Sequence, residues 1–219
     1  MTERKLPPRQ WHGMGIIVDL SYRRGHVSVE LNGTTYSLFH DRHMRYPIPG
    51  KTPDRELEPL WGGFRGEFKI RSETEVCSLY RGRLELESTK AVMGGESGKF
   101  VAKAPPNKYV IPADKDCMKP VIDKLEKDME EPPEYHVLSK GGARNCVTYA
   151  VDLMEMAGLF EECERFPDNV ISPEQFNDAM KVFVGSLPGA KHFILSVDKD
   201  GRFGFQECLQ DGVMQDGSD

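Results

Sequence analysis

The sequence predicts an α+β fold, with helices packed on an antiparallel sheet. Residues 15–39 alternate apolar and polar side chains, the period of a strand buried on one face. From Pro120 onward apolar residues recur instead at helical spacing. Near the C-terminal end a second short alternating pair returns, His192 to Val197 and Arg202 to Phe205.

Taken in order, Gly15-Ile-Ile-Val-Asp-Leu20 reads as the first strand, and His26 to Phe39 as two more joined at Asn32-Gly33, a dipeptide suited to a hairpin turn. Pairing Leu31 with Thr35 around a short Asn-Gly-Thr loop sets His26 opposite His40, so that both side chains share a face. A one-residue slip would flip the strand and favour Asp41 instead. The stretch from about 41 to 112 is rich in Pro and Gly and reads as an insertion covering the site. It holds strand-like runs at Gly66–Arg71 and Ser78–Glu87 and a loop at Met93–Lys99. Pro120 suits a first helical turn, and Val121, Ile122, Leu125 and Met129 form an apolar stripe that Glu131-Pro-Pro ends. Cys146 heads the next helix, with Val147, Ala150, Val151, Met154 and Gly158 on one side. A third helix starts at Ser172, with Pro173 at its first position and Gln175 completing a capping box. Asp198-Lys-Asp-Gly201 is the final turn. The whole chain, 1–219, is expected to form one domain around the 41–112 insertion.

Composition limits the function. With 219 residues and 38% hydrophobic content the chain can bury a sizeable core. A net charge of −6 argues against nucleic acid or an anionic membrane as the main partner. No apolar run reaches the ~20 residues of a membrane span, and Met1 to Pro8 lacks the apolar core of a signal peptide, so the expected site of synthesis is the cytoplasm. Five cysteines, at 77, 117, 146, 163 and 208, are widely spaced and form no C-x-x-C pair, which points to reduced thiols rather than disulfides or a zinc knuckle.

One position suggests chemistry. The first N–H groups of a helix lack partners and carry partial positive charge, so they favour a thiolate at Cys146 and can hold an oxyanion. The base is missing locally, and His26 is the upstream choice. Other motifs fail. Gly94 to Lys99 resembles a phosphate loop, but Met93 stands at the first glycine position and Phe100 replaces the Ser/Thr. Asp198-Lys-Asp-Gly201 lacks the third acidic ligand and the distal glutamate of a calcium loop. His40 and His43 with His12 or His26 make no diagnostic metal spacing. No metal and no cofactor is expected. Singly, Cys146 would read as core packing, His26 as a strand histidine on a wet face and Tyr135 as ordinary core.

Together, Gly25-His-Val-Ser-Val-Glu-Leu31, then a turn and Tyr36-Ser-Leu-Phe39, and over a hundred residues later Asn145-Cys-Val-Thr-Tyr-Ala-Val-Asp-Leu-Met-Glu-Met-Ala-Gly-Leu159, resemble the circularly permuted papain-like branch of the NlpC/P60 hydrolases. That branch includes lecithin-retinol-acyltransferase-like proteins, PPPDE peptidases and bacterial effector or toxin hydrolases. About 30 residues around His26 and 25 around Cys146 carry the likeness. It implies a papain-like sheet packed against helices with Cys146 as nucleophile and His26 as base. His40 would be the third member and Asp41 its substitute, while Tyr135, about ten residues before the cysteine, would support the oxyanion.

The expected activity is that of a cysteine amidase or peptidase acting on a peptide, peptidoglycan or protein amide. Imidazole would take the thiol proton, and backbone N–H groups would stabilise the tetrahedral oxyanion, an effect worth about 3 kcal/mol per donor. The relatives suggest an effector exported without a cleaved signal, with an immunity or delivery protein as partner. Two other classes fit the same residues: an acyltransferase or thioesterase acting on lipid, and a catalytically silent binding module. In the silent module Cys146 would lie far from His26.

Overall fold

The computed structural model describes residues 13–21, 25–45, 64–92, 104–136, 144–160 and 172–208, with side chains for all but 40–45, 64–65 and 83–92. Twelve elements are present among them. In chain order they are β1 (Met14–Asp19), β2 (His26–Leu31), β3 (Thr34–Arg45), β4 (Phe64–Ser72), α1 (Glu73–Val92) and β5 (Asn107–Ile111). Then come α2 (Lys115–Glu130), β6 (Glu134–Tyr135), α3 (Cys146–Met156), α4 (Pro173–Ser186), β7 (Lys191–Val197) and β8 (Phe203–Glu207). The strands make one sheet in the order β6-β4-β3-β2-β1-β5-β7-β8, every named pair antiparallel. The fold is α+β, an antiparallel sheet packed against helices.

Alternation assigns the two faces of this sheet. Met14, Ile16 and Val18, Val27, Val29 and Leu31, Tyr36 and Leu38, and Tyr109 and Ile111 form one buried cluster with Met118, Val121 and Leu125 of α2, Val147, Ala150, Leu153 and Met154 of α3, and Phe176, Met180, Phe183 and Val184 of α4. This is the helical face. On the opposite face, α1 sets Cys77 and Tyr80 against Leu195, Phe203 and Phe205. The same face carries His26, Ser28 and Glu30 from β2, as side chains of a strand alternate strictly between its two sides.

The β2–β3 hairpin differs from the expected register. Leu31 pairs with Thr34, Glu30 with Thr35 and Val29 with Tyr36. Asn32 and Gly33, with φ of 52° and 74°, close a two-residue turn whose left-handed residues match the twist of the strands. Thr34 is therefore in the ladder, not the loop, and every cross-strand partner moves by one. Ser28 and Ser37, opposite each other in this register, join hydroxyls at 2.7 Å.

Three further expectations change. Ser78–Glu87 belongs to α1 and not to a strand, its first turn organised by Glu75, whose Oε2 accepts from Ser72 N–H at 2.7 Å and Ser72 Oγ–H at 2.9 Å. Pro120 lies inside α2, which starts five residues earlier at Lys115. And β4 and β5, both within the span read as an insertion, are members of the central sheet, with β5 hydrogen-bonded directly to β1. The Met93–Lys99 loop lies outside the described residues. Ser172 and Gln175 do form the expected capping box over Pro173.

Candidate functional site

Cys146 is the first residue of α3, as its sequence context predicts. Asn145 caps the helix. Its Oδ1 accepts from the Thr148 N–H at 2.9 Å, and the Thr148 hydroxyl accepts from the Asn145 N–H at 3.0 Å. Arg144 then pairs with Asp152 one turn further on and ties the incoming chain to the helix flank.

Tyr135 arrives by the sheet. Its strand pairs Tyr135 with Phe64 of β4, while a parallel bridge joins Tyr135 to Arg144. Hydrogen bonds from Arg144 N–H to Glu134 O at 2.9 Å and from His136 N–H to Arg144 O at 3.0 Å fix that bridge. Tyr135 is thus brought to the start of α3 by backbone pairing, and its hydroxyl hydrogen-bonds the Cys146 thiol. The thiol itself is buried. Burial pushes its pKa up, and this outweighs the opposing hydrogen bonds from the backbone of Val27, from its own N–H, from Tyr135 and from the Val147 N–H. Each of those donors would stabilise an anion, so the corner is a cradle for negative charge that holds a neutral thiol.

His26 stands elsewhere. It opens β2 opposite Asp19, and the hairpin register, extended along the strands, sets it opposite Phe39. The two rings stack at 3.9 Å with 11° between their planes. Lys69 and Arg71 lie over the same Phe39 ring at 5.1 and 5.6 Å, and both belong to the β4 positions opposite Ser37 and Thr35. Phe39 and His26 therefore occupy the face covered elsewhere by α1, whereas Cys146 packs with Val27 and Val29 on the helical face. The structure brings Cys146 and Tyr135 together. Strand alternation sets the imidazole of His26, stacked on Phe39, on the other face of the sheet.

The register also removes the argument that paired His40 with His26, because His40 is one position beyond the residue opposite His26 and pairs with Gly66 of β4. Asp41 is two positions beyond Phe39, within the irregularity that shifts the β3–β4 pairing between His40 and Arg45. The side chains of His40, Asp41 and His43, and the whole of His12 and Cys163, lie outside the described residues. Among the described residues no three His, Cys, Asp or Glu side chains converge as metal ligands would, and no helix is long and apolar enough to cross a membrane.

Two polar constellations were not foreseen. On the α1 face, Lys108 of β5 bonds Glu30 Oε1 and Glu73 Oε2, both at 2.7 Å. The bridge to Glu30 passes over β1 at Gly15, where a methyl group would stand 2.9 Å from Glu30 Cβ. Burial raises the Glu30 pKa against the pull of Lys108. For Lys108, burial acts to lower the pKa but Glu30 and Glu73 more than offset it, so the ammonium is held above its usual range. A glycine facing a glutamate across two strands was the available signal. The other constellation joins β5, β7 and α4: Tyr109 donates to Asn177 Oδ1 at 2.9 Å, its ring stacks on His192 at 4.7 Å, and His192 Nε2 meets Asn107 Oδ1 at 2.8 Å. No protein-family model, curated protein or solved structure matches the chain.

Proposed function

We propose that the chain is a binding module on the papain-like plan its sequence resembles, catalytically silent at Cys146, whose thiol is buried and unreactive. One observation supports this reading: His26 stacks on Phe39, and strand alternation puts that pair on the face away from Val27 and Val29, which cluster with Cys146. A base must come within hydrogen-bond reach of the proton it abstracts, directly or through one water.

Bringing His26 to the Cys146 face would require a one-residue slip of β2, and such a slip exchanges every side chain between faces. Val27, Val29 and Leu31, all nearly fully buried, would leave the core. At about 1.5–3 kcal/mol each, that costs roughly 5–9 kcal/mol, comparable to the whole stability of an ordinary domain, about 5–15 kcal/mol. His26, Ser28 and Glu30 would enter the core in their place, which adds to the cost.

The cysteine amidase or peptidase reading keeps one specific support, the anion cradle of Tyr135 and three backbone N–H groups around the thiol. Iodoacetamide labelling of the native protein, mapped cysteine by cysteine, separates the two. The silent module predicts that Cys146 reacts more slowly than the exposed Cys117 at every pH from 5.5 to 8. Faster labelling of Cys146 at mildly acidic pH, abolished by His26→Ala, would overturn it and restore the hydrolase.

A further inference from the structure

Among the described residues, a thiol more accessible than Cys146 has an imidazole directly across the strand gap. Cys208 follows directly on β8, and its N–H donates to His192 O at 2.8 Å. The β7–β8 register pairs Phe193 with Glu207, so one step further Cys208 stands directly opposite His192. Side chains directly opposite in an antiparallel pair share a face, with Cβ atoms about 5 Å apart. Both residues are half-buried, less so than Cys146, and burial still pushes the Cys208 thiol up, so the attacking thiolate forms only as a base takes the proton. A row therefore crosses three strands: Tyr109, then His192, then Cys208. Negative charge on Cys208 is felt by Tyr109, whose hydroxyl is pushed up first by burial, then by Asp178, then by Cys208.

Hydrogen bonding sets the tautomer of the central ring. The Asn107 amide donates from Nδ2 to Pro105 O at 3.4 Å, which turns Oδ1 toward His192. His192 Nε2 meets that oxygen at 2.8 Å. Oδ1 only accepts, so Nε2 carries the hydrogen and Nδ1 keeps its lone pair. Burial and the neighbouring Lys181 hold the His192 pKa below its usual value, so the ring is neutral at pH 7. The face of the ring is fixed by stacking on Tyr109, with 13° between the planes.

We propose that Cys208, His192 and Asn107 form a thiol–imidazole–amide centre that accepts acyl groups from activated esters, with Cys208 as nucleophile, His192 as base and Asn107 as the positioning residue. The step is balanced. Cys208 Sγ attacks the carbonyl carbon and forms an S–C bond, the ester C–O bond breaks, the alkoxide or phenolate leaves, and the thiol proton passes to His192 Nδ1. No metal, redox partner or further reactant is needed.

The test uses the full chain with p-nitrophenyl acetate, following nitrophenolate release and mapping the acetylated cysteine by mass spectrometry. Cys208 should be acetylated on the order of a hundredfold or more faster than Cys117 at pH 7, the lower end of what a positioned base gives. His192→Ala should bring Cys208 down to the Cys117 rate without changing Cys117. Asn107→Asp supplies a second readout that a merely structural role would not move. A carboxylate there stabilises the imidazolium, so the pH–rate profile of Cys208 should shift to higher pH. Equal rates for Cys208 and Cys117, or an unchanged Cys208 rate in His192→Ala, would overturn the proposal. Because Cys146 is read from a different peptide, that outcome leaves the silent-module reading to stand or fall by its own labelling.

Discussion

Replacing Lys108 with methionine should be the most damaging single change on the α1 face. The two charges of the Lys108–Glu30 pair are held with side-chain exposures of 11% and 9%, and Glu73, at 42%, completes the cluster from the first turn of α1. Methionine fills the space of the lysine stem but leaves Glu30 buried without its counter-charge. Removing one partner of a buried pair costs about 3–5 kcal/mol, mostly the penalty of the stranded charge. A chain of this size loses roughly 2–4 °C of Tm per kcal/mol, so the melt should fall by about 6–20 °C.

The pH dependence follows from Glu30. Its folded pKa lies above its unfolded value, so the native state holds the extra proton between the two. The stability this contributes is complete below the unfolded value and is lost as pH rises through the folded one. Lys108 pulls against that shift, so without it the folded pKa climbs further and the loss continues to higher pH. Lys108→Met should therefore be least harmful in acid, where Glu30 is neutral in both proteins, and its deficit should widen toward neutrality. Adding Glu30→Met should recover much of the loss, because a buried pair replaced by apolar side chains of similar volume is often neutral. Urea melts at pH 4, 5.5 and 7 on the four proteins of the cycle measure this. A Lys108→Met deficit under about 0.5 kcal/mol at pH 7, or one that shrinks as pH rises, refutes the reasoning.

Gly15→Ala forces a methyl to 2.9 Å from Glu30 Cβ and should cost about 1–3 kcal/mol. Gly185→Ala, in α4 with open space around it, should stabilise by up to about 1 kcal/mol, and the two opposite signs can be read in parallel urea melts. Tyr149→Phe deletes the hydrogen bond from its hydroxyl to buried Asp128 Oδ2 at 2.8 Å. A loss of about 1.5–3 kcal/mol is expected, and a neutral result in the same melts would mean that Lys124 alone satisfies Asp128. Asn145→Ala removes the α3 cap and should cost about 1 kcal/mol, detected as faster amide exchange at Cys146 to Thr148.

Local signals carried much of the fold. The Asn32-Gly33 turn, the Ser172 capping box, the stop at Glu131-Pro-Pro and the position of Cys146 at the head of its helix each depend on a few neighbouring residues, and each stands in the structure. What was misread depends on partners far away in the chain. Ser78–Glu87 carries no clear helical stripe, and its helix is held by Cys77 and Tyr80 against Leu195 of a strand more than a hundred residues on. The middle of the chain looked like an insertion because its Pro and Gly content is high, yet Tyr109 and Ile111 are among the most buried residues of the protein.

The placement of His26 was open to a closer reading of its own strand. In His26-Val-Ser-Val-Glu-Leu31 the apolar residues are Val27, Val29 and Leu31, and an amphipathic helix such as α3 packs on the apolar side. Parity then assigns His26, with Ser28 and Glu30, to the side away from Cys146, whatever the hairpin register. The hairpin decides a different matter, the residue that meets His26 across the strand gap. A three-residue loop would have made it His40, and the two-residue Asn-Gly turn makes it Phe39. The likeness to permuted papain-like sequences rests on residue types and their order, both of which this chain keeps, whereas the reaction depends on which face of the sheet the imidazole occupies. The imidazole stacks on Phe39 on the face opposite the helical one, and the Cys146 cradle supplies donors for an anion.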